Sequence, residues 1–221
     1  MRLAVVFTKE APVRFVSHLD VQRLFQRAFR RAKLPLAYSQ GFNPHPLVAF
    51  ATALSVGFTS CGEYLDVTLT KDIAPEEFIE RVGPELPEGV RIVEAFDISY
   101  SRKSLTSAMR SAKYSARAEF DKAPGEDAIR NAVSELLSSE IVVMKRTKGG
   151  IKPVDIRPML ISFELVKAEA DTAVFEICGV LSAEGGLNPD TLLNVLFEKL
   201  GVTGTTDVSR LETVLDREAL A

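Results

Sequence analysis

The chain has 221 residues, 46% hydrophobic and 26% charged, with a formal net charge of −3 at pH 7. This is globular composition, long enough to bury a core without staples, and it excludes a disordered or collagen-like chain. Two isolated cysteines, Cys61 and Cys178, exclude a Cys-based zinc site or an iron–sulfur cluster held by this chain alone.

In chain order, residues 2–8 alternate and are rich in β-branched types, which predicts a strand. Ser17 then offers an N-cap with Asp20 three residues on. From there to Leu34, Leu24, Phe25, Ala28, Phe29 and Ala32 recur at helical spacing, and Pro35 is read as the stop. Residues 47–54 and 63–70 predict strands, 75–82 a helix opened by Pro75, and 91–98 a strand. This order of strand, helix, strand, strand, helix, strand is a split βαβ, ferredoxin-like unit. Residues 100–112 are serine-rich and basic and read as a linker. The order then repeats: strand 114–120, helix 127–137, strands 141–145 and 159–167 around a loop, strand 172–181, helix 189–200 capped by Asn188, strand 208–215. The expected architecture is α+β, with two tandem ferredoxin-like units whose antiparallel sheets carry helices on one face. The domains would be 1–99 and 113–221, joined by the basic linker 100–112, with an enlarged hairpin at 145–158.

Charge is segregated along the chain. Residues 14–33 carry Arg14, Arg23, Arg27, Arg30, Arg31 and Lys33 against Asp20, a net +5. Residues 101–118 carry +5 and residues 145–157 carry +4, leaving −17 for the remainder. Segregated positive charge makes local fields that attract anions, whatever the overall sign.

Both histidines lie around the first basic segment. His18 would sit in the first turn of the helix, where the positive end of the dipole disfavours the imidazolium, so a neutral general base is one reading and a hydrogen-bonded helix junction is the other. His45 lies in Asn43-Pro44-His45-Pro46. With Tyr38, Gly41 and Phe42 it makes a stiff turn suited to recognition, or simply a rigid entry to the second strand. The two histidines need not converge, because the turn follows the far end of the helix. No His-x-x-x-His spacing occurs, and no metal site is expected. The loop with Lys145, Arg146, Lys148, Lys152 and Arg157 places five cations around a Gly149-Gly150 turn, a pattern suited to phosphate contacts or to a solvated tip. No run approaches the roughly 20 apolar residues of a membrane helix. A cytoplasmic, soluble protein with no membrane partner is expected.

The stretches 13–20, 27–35, 38–46 and Asp155-Ile156-Arg157-Pro158 resemble the bacterial radical-SAM-linked domain of unknown function. That family occurs free-standing or C-terminal to a radical SAM protein with a cobalamin-binding-type domain. The resemblance covers most of the chain and is densest from 13 to 62. It implies an accessory role beside a radical SAM partner. The iron–sulfur cluster and SAM would sit on that partner and no cofactor on this chain, which lacks the radical SAM cysteine triad. It assigns no catalytic residue. A looser, fold-level similarity is to the tandem ferredoxin-like endoribonucleases that process CRISPR repeat RNA without metal, although their C-terminal glycine-rich loop is absent here. Three functions follow as expectations. The first is an accessory module binding structured RNA, tRNA or rRNA, through Arg14, Arg23, Arg27, Arg30, Arg31, Lys145, Arg146, Lys148, Lys152 and Arg157, with Tyr38, Gly41, Phe42, Asn43 and His45 as a recognition loop. The second is a metal-independent endoribonuclease using His18. The third is a protein-interaction domain docking a radical SAM subunit.

Overall fold

The computed structural model describes residues 1–147 and 150–220. The architecture is mixed α+β with mostly antiparallel strand pairing. The chain divides into two compact units, Met1–Arg110 with Glu212–Ala221, and Ser111–Leu211.

The first unit holds β1 (Arg2–Lys9), α1 (His18–Arg31), β2 (Val48–Phe50), β3 (Thr59–Thr68), α2 (Pro75–Val82), β4 (Ile92–Asp97) and the one-turn α3 (Leu105–Ala108). Its strands run in the order β2-β3-β1-β4, each antiparallel to its neighbour. Period-two alternation places Leu3, Val5 and Phe7 on one face of β1. They meet Leu65 and Val67 of β3, Phe25, Ala28 and Phe29 of α1, and Phe78 and Val82 of α2 in one buried cluster. Both helices therefore cover the same sheet face. Phe25 is its centre, with ring centroids 4.7 Å from Phe7 and 5.7 Å from both Phe29 and Phe50. The burial of each such ring contributes about 1.5–3 kcal/mol.

Helix α1 starts where its cap predicts. The Ser17 oxygen accepts the Asp20 amide N–H, and the Ser17 hydroxyl donates to the Asp20 carboxylate at 2.7 Å. Its end differs from expectation. Lys33 turns into the left-handed region at φ 51°, its N–H reaching Arg30 O and the Leu34 N–H reaching Phe29 O. This Schellman closure ends the helix at Arg31, before Pro35 has any part in it.

The segment read as a linker, 100–112, contains α3 and the start of β5 (Met109–Phe120), with Leu105, Ala108, Met109 and Ala112 all buried. Its serines cap that turn rather than loosen the chain: Ser104 Oγ accepts the Ser107 N–H. The chain leaves the first unit inside β5 and returns inside β11 (Gly204–Leu215). The strand expected over 47–54 shrinks to Val48–Phe50, because only these three residues pair with β3.

Between β5 and β11, the second unit holds α4 (Glu126–Ser138), β6 (Val142–Thr147), β7 (Gly150–Asp155), β8 (Leu160–Glu169), β9 (Thr172–Ser182), the two-residue β10 (Gly185–Gly186) and α5 (Pro189–Leu200). Its strands run β8-β9-β5-β11, with β10 pairing the end of β9. Tyr114, Ala116 and Ala118 of β5 lie across from Ile177, Phe175 and Ala173 of β9, all buried. Strands β6 and β7 form a separate two-stranded hairpin. No helix among the described residues is long and apolar enough to cross a membrane.

Candidate nucleic-acid interface

Arg23, Arg27 and Arg31 stand one turn apart along α1, so the 3.6-residue period stacks them in one row. With Asp20 and Leu24 they line one wall of an open groove of about 690 Å³; Pro84, Glu85, Leu86 and Pro87 line the other. The row is not uniformly available. Arg23 pairs with Asp20 at 3.0 Å, and Arg31 donates from Nε to Glu85 at 2.7 Å and also to the Glu85 carbonyl. Among the described residues, Arg27 makes no ion pair. Asp20 is held below the usual carboxylate range by the Ser17 hydroxyl and by Arg23, with Arg27 adding its charge. Arg30 is exposed and lies outside the groove lining.

The turn after α1 is a closed loop. Tyr38 bridges to Pro46, the Ser39 N–H reaches His45 O at 2.9 Å, and the Ser39 hydroxyl meets both the His45 amide and its Nδ1. Gly41 at φ 129° adopts a conformation that side chains resist, and this lets the tip turn. Phe42 is fully exposed at 107%, and Tyr38, Asn43 and His45 are also exposed. The loop holds an aromatic side chain out to solvent on a tied backbone.

His18 occupies a different place. It faces a small cleft lined by Phe7, Lys9, Val16, Val21, Phe50, Thr52, Leu54 and Glu63, with room for about one water, roughly 20 Å³. Its ring packs edge-on to Phe50, and Nε2 lies 3.0 Å from the Gln22 amide. Burial lowers its pKa; Glu63 opposes that shift and Lys9 reinforces it. Lys9 is 3% exposed and Glu63 is 4% exposed. The Lys9 amine donates to Arg14 O at 2.8 Å, and burial lowers its pKa against the pull of Glu63. A phosphodiester does not fit this cleft as it stands. No residue of the 38–46 loop lines it, so the two histidines do not share this cleft.

Arg14 and Arg157 are committed to backbone. Arg14 Nε donates to Gly57 O at 2.7 Å, and its guanidinium lies over Phe15. Arg157 donates to Leu137 O and Leu160 O, satisfying a carbonyl in the last turn of α4. Lys145 and Lys152 face each other across the β6–β7 hairpin, with Arg146 opposite Ile151. Lys148 lies outside the described residues. Among those described, no group of three or more His, Cys, Asp or Glu side chains is placed to hold a metal.

Three participants were missed in the sequence. Glu85 and its neighbours form the far wall of the arginine groove, and nothing local marks them. Lys9 and Glu63 did leave a signal. Alternation puts Lys9 on the inward face with Phe7, and Glu63 on the inward face with Leu65.

Geometry thus defines a two-unit α+β protein with an arginine-lined groove and a presented aromatic loop. The family described as "Uncharacterized protein conserved in bacteria (DUF2344)" matches residues 2–189, and the chain belongs to that family. No curated protein matches. Among solved structures, the chain is similar to one in a Cbf5-Nop10-Gar1 complex, with TM-score 0.58, 10% identity, and coverage of 96% of this chain and 48% of that one. It is also similar to a chain of an H/ACA RNP bound to a substrate RNA containing 2′-deoxyuridine, with TM-score 0.55, 11% identity, and coverage of 96% and 47%. A third is in an archaeal box H/ACA sRNP Nop10-Cbf5 complex, with TM-score 0.52, 10% identity and the same coverage. At these identities the likeness is one of fold. The chain spans about half the length of each of these three chains.

Proposed function

We propose that this protein is an accessory module that binds structured RNA, of the tRNA or rRNA class, through the basic face of α1. The observation that carries the reading is the row Arg23, Arg27 and Arg31 along an open groove, with Arg27 unpaired among the described residues. The guanidinium of Arg27, standing between the paired Arg23 and Arg31, suits phosphate oxygens. Phe42 and Tyr38 supply aromatic faces for unpaired bases, which is how single-stranded RNA segments are commonly read. Lys145, Arg146 and Lys152 add a second basic element on the hairpin. The strand orders β2-β3-β1-β4 and β8-β9-β5-β11 support the finer reading of two split βαβ units in tandem. The likeness to chains from an H/ACA RNP bound to a substrate RNA and from a box H/ACA sRNP is in keeping with this, as analogy of fold. The radical SAM partner, carrying the cluster and SAM, rests on the motif resemblance of residues 13–46 and Asp155–Pro158.

The test is titration of the full chain with total bacterial RNA across a salt series. Arg27→Glu with Arg30→Glu is the comparison, since neither side chain has an ion-pair partner among the described residues. Salt-dependent binding that weakens in the double variant, with a shallower salt slope, supports the reading. Binding absent in the wild type, or indifferent to salt, sinks it. The ribonuclease reading is less well supported, because the cleft at His18 has room for about one water.

A further inference from the structure

The arginine row is closed off at both ends by carboxylates. Asp20 holds Arg23 at one end, Glu85 holds Arg31 at the other, and Arg27 stands between them. Three arginines and two acids leave the groove one positive charge in excess. A surface that tracks a running backbone keeps its cations open along the whole strand. Here the row spans about 12 Å from Arg23 to Arg31 at about 1.5 Å per residue. A strand with one phosphate at Arg27 would bring its neighbouring phosphates towards Asp20 and Glu85, and like charges repel. The remaining lining is apolar: Leu24, Pro84, Leu86 and Pro87. A groove of about 690 Å³ with an apolar wall and one uncommitted guanidinium has the size and chemistry of a small-ligand site.

We propose that this groove seats a single phosphomonoester-bearing nucleotide, with its phosphate on Arg27 and its base or ribose against Leu24, Leu86 and Pro87. On the RNA reading above, on which this rests for the identity of the ligand, the nucleotide is the phosphorylated end of the RNA rather than an internal stretch. Asp20 and Glu85 then act as the specificity-determining residues that turn away a continuous backbone.

The experiment is calorimetric titration of the full chain with one ten-nucleotide RNA in three forms: hydroxyl at both ends, 5′-phosphate, or 3′-phosphate. AMP and adenosine are titrated alongside. The expected result is that one phosphorylated form binds at least about tenfold tighter than the hydroxyl form, and AMP tighter than adenosine. Arg27→Ala removes that preference, while the exposed Lys122→Ala leaves it intact. Glu85→Gln narrows the preference by tightening the hydroxyl form. Equal affinity for all three RNAs, or a preference that survives Arg27→Ala, overturns the proposal while leaving RNA binding itself standing. AMP binding that depends on Arg27, with no RNA bound in any form, keeps the phosphate seat and removes the RNA reading. No binding of any of these ligands overturns both.

Discussion

The Ser39 hydroxyl lies 2.8 Å from His45 Nδ1, while its oxygen accepts the His45 amide N–H at 3.1 Å. One small side chain therefore ties both ends of the exposed loop, and His45 serves as its tether. Ser39→Ala is expected to lower stability by no more than about 1 kcal/mol, because the bonds it removes are solvent-exposed. It is also expected to weaken RNA binding by loosening the loop. Phe42→Ala should weaken RNA binding with no change in melting temperature, since the ring is fully exposed. Melting curves and RNA titrations of the two variants separate the effects. Unchanged affinity in both would remove the loop from the interface.

Burial holds His18 below the ordinary histidine pKa of about 6.5, so the folded state favours the neutral ring. The unfolded chain then takes up the proton first as pH falls. This contribution to stability is complete above about 6.5 and is lost as pH drops from there towards the lower folded value. Urea unfolding of the wild type and His18→Gln between pH 5 and pH 8, a range of about three units around that pKa, should show the wild type declining more steeply on the acid side. Parallel curves would mean the ring titrates alike in both states.

Phe25 touches three other rings and has no exposure. Phe25→Ala should cost about 3–5 kcal/mol, through lost burial and the cavity left between α1 and the sheet. Chemical denaturation measures it. A loss below about 1 kcal/mol would mean the core relaxes into the gap, contrary to close packing.

Gly204 opens β11 with the Glu119 carbonyl oxygen 2.2 Å from where a Cβ would stand. Backbone on both sides leaves little to yield, so Gly204→Ala should destabilise the second unit by about 2 kcal/mol or more. Limited proteolysis should then cut first within residues 111–211. An unchanged digestion pattern would show that the strand ends move apart cheaply.

Lys33 pays a left-handed backbone cost at the end of α1. Lys33→Gly keeps the hydrogen bonds of that closure and should raise stability by up to about 1 kcal/mol. A thermal melt reads the sign directly, and a decrease would mean the lysine side chain contributes more than its strain.

Much of the frame was legible in sequence because it is set by local periods. Alternation in β1, the Ser17 cap with Asp20 three residues on, and the helical spacing of Phe25 and Phe29 each express geometry within a few residues. The arginine row follows from the same helical period. The end of α1 was misplaced because Pro35 is the conspicuous residue, whereas the stop is a backbone conformation taken by Lys33. The linker at 100–112 was misread because serine signals a cap as readily as a loop, and the buried Leu105 and Ala108 are too few to form a pattern.

What the sequence determined by itself is the place of β1, α1, α2, α4 and α5, the apolar face of α1 and the charge on that helix. Which of those charges remain available was decided only in three dimensions. Arg31 is committed to Glu85, 54 residues away, and Arg91 to Glu10, 81 residues away. Arg14 is tied to Gly57 and Arg157 to Leu137, again across the fold. A guanidinium looks the same in sequence whether it faces solvent, a carboxylate or a helix end. Its partner is chosen by strand register and helix packing, which bring distant segments within hydrogen-bond range, and no local pattern carries that distance.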